Sequence, residues 1–245
     1  PRSTRKESSA ASDVYKRQDL VGGYGGADIL HGCSVAIDKN EIVVIVGPNG
    51  AGKSTAMKAM LGMLKIKSGS VSFMGNDITK LSPQLRINQC LSFVPQTNNV
   101  FTELTVRENL EIGAYIRKDD FEETIDQIYD LFPVLKDKQS QLAGELSGGQ
   151  RQQVAVGRAL MTKPSVLMLD EPTAGVSPIV MDELFERIIE IKKTGMAILI
   201  VEQNAKQALN IADYGYVLVN GQNKHFGTGK ELLDSKEVRQ SFLGG

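Results

Sequence analysis

The 245-residue sequence contains no tryptophan, only two cysteines and two histidines, and no long apolar run. Cys33 and Cys90 stand alone, without a CxxC pair or a neighbouring histidine, which excludes a disulfide framework and a zinc site. Both are expected to be buried thiols in a reducing compartment. The longest apolar stretches, such as residues 42–46 and 166–169, fall far short of the roughly 18–20 residues that span a bilayer. No membrane crossing is expected. One sign of charge is not in excess either. With 28 basic against 29 acidic side chains the net charge is −1, which gives no electrostatic case for nucleic acid or an anionic lipid surface. What is present, 41% hydrophobic and 23% charged residues, is ordinary for a globular chain long enough for one large or two small domains.

Residues 1–18 differ from the rest. They are rich in Ser, Ala, Lys and Arg, carry five basic residues against two acids, and have no apolar segment of a secretory signal. The segment is similar to translated sequencing-adapter read-through and is expected to be a disordered or non-native leader, leaving 19–245 as the folded domain. Beyond it, 29–37 and 41–46 read as strands, the second an almost continuous β-branched run suited to a buried position. A Gly-rich turn at 47–52 leads into a helix over 53–64, and 71–74 and 91–94 are further short strands. Asp120 with Glu123 resembles a capping pair ahead of Phe121, Ile125, Ile128 and Phe132 at helical spacing, and 106–115 also reads as helix. Residues 97–145 are thus a helical insert, which a further helix extends to about 162. Strands over 166–169 and 197–201 flank a helix that Ser177-Pro178 starts and Gly195 ends, and 216–219 opens a hairpin around Asn220-Gly221. The expected fold class is α/β, with a parallel-sheet core.

Three motifs carry chemistry. Gly47-Pro48-Asn49-Gly50-Ala51-Gly52-Lys53-Ser54 fits the phosphate-loop pattern GxxxxGK[ST], placed between a strand and a helix that continues through Thr55. Glycines let successive backbone N–H groups converge on phosphate oxygens, and the helix adds its positive end. Lys53 supplies a point charge to the β- and γ-phosphates, and Ser54 a hydroxyl to Mg²⁺. Next, Val166-Leu-Met-Leu-Asp170-Glu171 is a hydrophobic strand ending in two carboxylates: Asp170 to hold Mg²⁺ through water, Glu171 to polarise the attacking water. Finally, Leu146-Ser147-Gly148-Gly149-Gln150 opens a helix between the other two, and its free N–H groups make a second anion cradle. One phosphate loop needs only one cradle, so a second suggests that two chains lend theirs to each other's nucleotide.

With LSGGQ in place, residues 20–245 resemble the ATP-binding subunit of ABC transporters. The resemblance implies a phosphate-loop NTPase fold with a parallel-sheet core, an N-terminal antiparallel β subdomain and a helical subdomain over about 97–162. It implies ATP and Mg²⁺ as cofactors, a second ABC ATPase sandwiching two nucleotides head to tail, and two membrane permease subunits with a substrate-binding protein behind them. The implied location is peripheral, on the cytoplasmic face of the membrane, with no nucleic-acid partner. Tyr24 stands where the family's aromatic stacks on adenine, and Gln96 where the Q-loop glutamine senses Mg²⁺. The leader occupies the place of the family's first β-strand, which the chain is expected to lack. Two positions depart from the pattern: Ser177 replaces the D-loop aspartate, and Gln203, within Val201-Glu-Gln-Asn204, replaces the switch histidine. Glutamine can donate to a γ-phosphate but cannot carry a positive charge.

DEPTAGVSP, VEQN, GYVL and the C-terminal EVRQSFLGG together resemble one of the two ATPases of branched-chain amino acid importers. An ATPase of a urea or short-chain amide importer is the nearest alternative. A soluble ABC protein acting on DNA or ribosomes, and a regulatory subunit with little turnover, remain open alternatives. The absence of sustained heptads and of a second cassette counts against the soluble one.

Overall fold

A computed structural model describes residues 13–242. The chain opens with β1 (Asp13–Tyr24), β2 (Ala27–Asp38) and β3 (Ile42–Val46), then helix α1 (Lys53–Met60). β4 (Ile66–Phe73), the two-residue β5 (Asn76–Asp77), α2 (Pro83–Ile87) and β6 (Leu91–Val94) follow. Three helices, α3 (Val106–Gly113), α4 (Glu122–Leu131) and α5 (Pro133–Asp137), lead into α6 (Gly148–Leu160). The second half alternates β7 (Val166–Asp170), α7 (Pro178–Lys193), β8 (Ala197–Glu202) and α8 (Ala205–Ile211). It closes with the hairpin β9 (Tyr214–Val219) and β10 (Gln222–Gly227) and two short helices, α9 (Gly229–Asp234) and α10 (Lys236–Phe242).

Two sheets result. One is antiparallel, in the order β2-β1-β4-β5; the other runs β10-β9-β3-β8-β7-β6, parallel throughout except for β10 at the edge. The sequence of β3, β7 and β8 explains the second. All residues of these strands are buried, as expected of parallel strands covered on both faces. Their alternation divides the core. Ile42, Val44 and Val46 face a cluster built with α3, α4, α6 and α7, whereas Val43 and Ile45 face a second cluster with α1, β1, β2 and β4. The helices of the expected insert, α3 to α6, fall between β6 and β7, which are neighbours in the sheet.

The structure differs from the sequence expectations at four places. Asp13 to Gln18, expected to lie outside the fold, are the start of β1, so the chain does have a first strand. Tyr15 is fully buried, its hydroxyl donates to the Met60 carbonyl at 2.6 Å, and its ring lies 6.1 Å from Phe73. A register irregularity between Arg17 and Leu20 breaks the alternation that would have marked this strand in the sequence. Residues 1–12 lie outside the described residues. The Asp120–Glu123 capping pair does not form: Phe121 is the N-cap, without a side-chain bond, and Asp120 accepts from the Glu122 N–H at 3.0 Å. Cys90 is exposed, in a turn at φ +64°; only Cys33 is buried. The helix after the phosphate loop stops at Met60, because Gly62 takes φ +74°.

Candidate active site

The phosphate loop joins β3 to α1, and its conformation explains its residues. Gly50 and Gly52 take φ +78° and +95°, values open to glycine at little cost. At Gly47 the constraint is space, since a Cβ would stand 2.1 Å from the Leu218 carbonyl of β9. Ala51 and Gly52 are buried, whereas Pro48, Asn49 and Gly50 are exposed at the tip. The loop is pinned from behind by the hairpin turn: Gly221 donates to the Ala51 carbonyl at 2.9 Å, and His31 donates its N–H to Gly221 at 3.0 Å.

Five of the expected side chains meet here. Lys53 is 5% exposed, and its Nζ donates to the carbonyls of Gly47 (3.0 Å) and Pro48 (3.3 Å). The Ser54 hydroxyl donates to Asp170 Oδ1 at 2.9 Å across the α1–β7 gap. Glu171 lies 3.9 Å from Lys53 Nζ and accepts from Gln96 Nε2 at 2.8 Å. Burial pushes the Asp170 carboxyl above the ordinary carboxylate value, with the Ser54 hydroxyl and two lysines acting against it. A buried carboxylate beside a hydroxyl, under a loop lined with N–H groups, suits a divalent cation and a polyphosphate. No group of three or more His, Cys, Asp and Glu side chains is placed to hold a metal among the described residues.

The other expected residues lie apart from this cluster. Tyr24 is half-exposed at the end of the β1–β2 hairpin, whose Ile29 packs toward Gly52. Thr55 is half-buried in the first turn of α1. Gln203 is exposed just beyond β8, between the ends of β3 and β7 in the sheet. Ser147 to Gln150 make no hydrogen bond to the phosphate loop of their own chain among the described residues. Their geometry refines the expected cradle. Ser147 and Gln150 form a capping box, each side chain bonded to the other's N–H, at 3.2 and 3.1 Å, so those N–H groups are already engaged. The N–H groups of Gly148 and Gly149 remain for an incoming acceptor. The two glycines also differ: a Cβ at Gly149 would strike Val180 of α7 at 2.2 Å, whereas one at Gly148 would meet only the Gly175 carbonyl at 4.0 Å, an ordinary contact. Ser177 is the N-cap of α7 with Pro178 after it, but its side chain makes no capping bond.

Two buried charged residues escaped the sequence reading. Arg86 on α2 is 2% exposed and donates to four carbonyls, those of Ala59 (3.2 Å), Met60, Leu81 (3.1 Å) and Thr79 (2.6 Å). It thereby caps the end of the helix that begins at Lys53. Glu202 ends β8 beside Gln203 and is 2% exposed. The two imidazoles take no part: His31 is exposed on β2, and His225 sits on β10 near Glu237.

A parallel sheet whose strand ends bring together a phosphate loop, a buried aspartate and a following glutamate defines a phosphate-loop nucleotide-binding ATPase. Comparison with known proteins makes this specific. The model of the ABC transporter family matches residues 30–174. The high-affinity branched-chain amino acid transport ATP-binding protein BraG of Pseudomonas aeruginosa is 43% identical over 223 residues, covering 91% of this chain and 96% of the relative. A protein of Archaeoglobus fulgidus described as a probable branched-chain amino acid transport ATP-binding protein, LivF, is 43% identical over 92% of the chain and 96% of its own length. The lipopolysaccharide export ATP-binding protein LptB of Escherichia coli is 31% identical over 93% of the chain and 95% of its own length. Among solved structures, a nucleotide-free ATP-binding cassette of an ABC transporter superposes with a TM-score of 0.82 at 33% identity, over 95% of this chain and all of that one. The chain belongs to the ABC transporter family as an ATP-binding, ATP-hydrolysing subunit. No helix among the described residues is long and apolar enough to cross a membrane.

Proposed function

We propose that the chain powers a membrane importer of branched-chain amino acids. The observation that carries its motor role is the meeting of Lys53, Ser54, Asp170, Glu171 and Gln96 at one set of strand ends. In this reading Gly47 to Thr55 hold the phosphates of ATP, and Tyr24 stacks on the adenine. Ser54, Gln96 and Asp170 hold Mg²⁺, which when bound neutralises developing phosphate charge. Glu171 polarises the attacking water, and Gln203 orients the γ-phosphate as a neutral donor. Ser147, Gly148, Gly149 and Gln150 reach the nucleotide held by a second ABC ATPase, which the unengaged N–H groups of Gly148 and Gly149 support. The assembly includes two permease subunits, with a substrate-binding protein delivering the cargo, and this chain sits at the cytoplasmic face. The cargo assignment is supported by the two relatives at 43% identity, above the 31% of a lipopolysaccharide export subunit.

Glu171→Gln tests the motor: it should trap an ATP-bound dimer with negligible phosphate release, and unchanged turnover would overturn the role of Glu171. Reconstitution with membrane partners tests the cargo. ATP-dependent uptake of leucine is expected, and uptake of urea instead would favour the amide importer.

A further inference from the structure

The acidic turn and the switch position meet at a residue to which none of the motifs gives a role. Glu202 accepts three hydrogen bonds from two segments. Its Oε1 takes the Thr173 N–H at 3.0 Å and the Thr173 hydroxyl at 2.7 Å, and its Oε2 takes the Gln203 N–H at 3.1 Å. One residue earlier, the Val201 carbonyl accepts the Glu171 N–H at 2.8 Å. The end of β8 therefore grips Glu171-Pro172-Thr173 at both ends.

That turn needs holding. Glu171 has φ +47°, a left-handed conformation unfavourable for a residue with a Cβ, and such conformations persist where the surroundings over-determine them. The conformation aims the Glu171 carboxylate at Gln96 and Lys53. Glu202 also lies level with Val46 in the neighbouring strand, the residue before the phosphate loop, so its frame is shared with the loop's anchor. Burial pushes the Glu202 carboxyl above its ordinary value, the hydrogen bonds opposing. A group kept only for stability would be better apolar, because desolvating a carboxylate costs more than ordinary bonds return.

We propose that Glu202 is a positioning residue, fixing the turn that carries Glu171 and the backbone of Gln203 in one frame. This rests on the reading of Glu171 as the group that polarises water. Glu202→Gln keeps an acceptor for Thr173 but turns an amide NH₂ toward the Gln203 N–H. Thr173→Val removes the hydroxyl donor while keeping side-chain shape, and it serves if Glu202→Gln fails to fold. Steady-state hydrolysis and equilibrium binding of a fluorescent ATP analogue are measured for both variants and for the double variant. Each single variant should lose about ten- to a hundredfold in kcat, with nucleotide affinity held within about twofold. The double variant should lose less than the product of the two, because both act through one carboxylate. Unchanged kcat, parallel loss of kcat and affinity, or a fully multiplicative double variant would overturn the proposal. Glu171→Gln is the reference: if it keeps turnover, the reading of Glu171 fails. If it is inactive while Glu202→Gln is fully active, only the positioning role fails.

Discussion

Replacing Arg86 by methionine removes the guanidinium from the end of α1 while keeping much of the side-chain volume. Four carbonyls lose a donor. Two keep another: Ala59 accepts the Gly62 N–H at 3.1 Å, and Met60 accepts the Tyr15 hydroxyl at 2.6 Å. The carbonyls of Thr79 and Leu81 have no second donor among the described residues. An orphaned buried acceptor costs about 1–3 kcal/mol. Thr79 and Leu81 are only half-buried, so the lower part of that range applies to each and the total is about 2–4 kcal/mol. Relieving the desolvated cation offsets some of this, since burial already lowers the Arg86 pKa. For a chain of this length about 2–4 °C of Tm follows each kcal/mol. Thermal unfolding should therefore show a drop of roughly 5–10 °C. Arg86→Lys should recover only part of it, because an ammonium cannot present a planar fork to carbonyls on two segments. A fall of less than about 2 °C for Arg86→Met would refute the view that this cation holds α1, α2 and the 79–81 turn together.

Lys53→Ala should weaken ATP binding by removing the charge nearest the loop carbonyls, read by fluorescent-nucleotide titration; unaltered affinity would contradict the phosphate-loop assignment. Gln203→Ala should reduce turnover more than ATP affinity, and equal turnover would make Gln203 a bystander. Glu202 gives a pH signature. Its folded pKa is raised above the ordinary 4.5, so its protonated form favours folding. That contribution is fully present below the unfolded value and is lost as pH rises through the folded one. Subtracting the unfolding profile of Glu202→Gln from that of the parent chain should leave a component that declines over this window, and a flat difference would contradict the burial-driven shift.

Much of the fold was legible because its signals are local. The apolar runs at 42–46, 166–169 and 197–201 require burial on both faces and hence a parallel sheet. The strand-loop-helix context of Gly47 to Ser54 can be read from adjacent residues alone. β1 was not legible, because an irregular register and a polar composition hide a strand whose pairing partners lie on β2 and β4. The capping boxes at Thr105, Ser147 and Thr228 formed where the spacing and backbone agree. Asp120 with Glu123 shows the same spacing, yet the helix begins one residue later than that pair requires.

By itself the sequence determined which chemistry is available: a loop of glycines for phosphates, a strand-end aspartate and glutamate, and a second helix start with free N–H groups. Tertiary structure decided how those groups are aimed. Glu171 adopts its left-handed conformation because Val201 and Glu202, thirty residues away in sequence, bond to both sides of its turn. Gly149 is required by Val180 of another helix and not by an anion alone. Arg86 became a helix cap only when α2 packed against the end of α1. Periodicity and motif spacing report what neighbours in the chain can do, whereas strain, close approach and buried charge are settled by residues that meet only after folding.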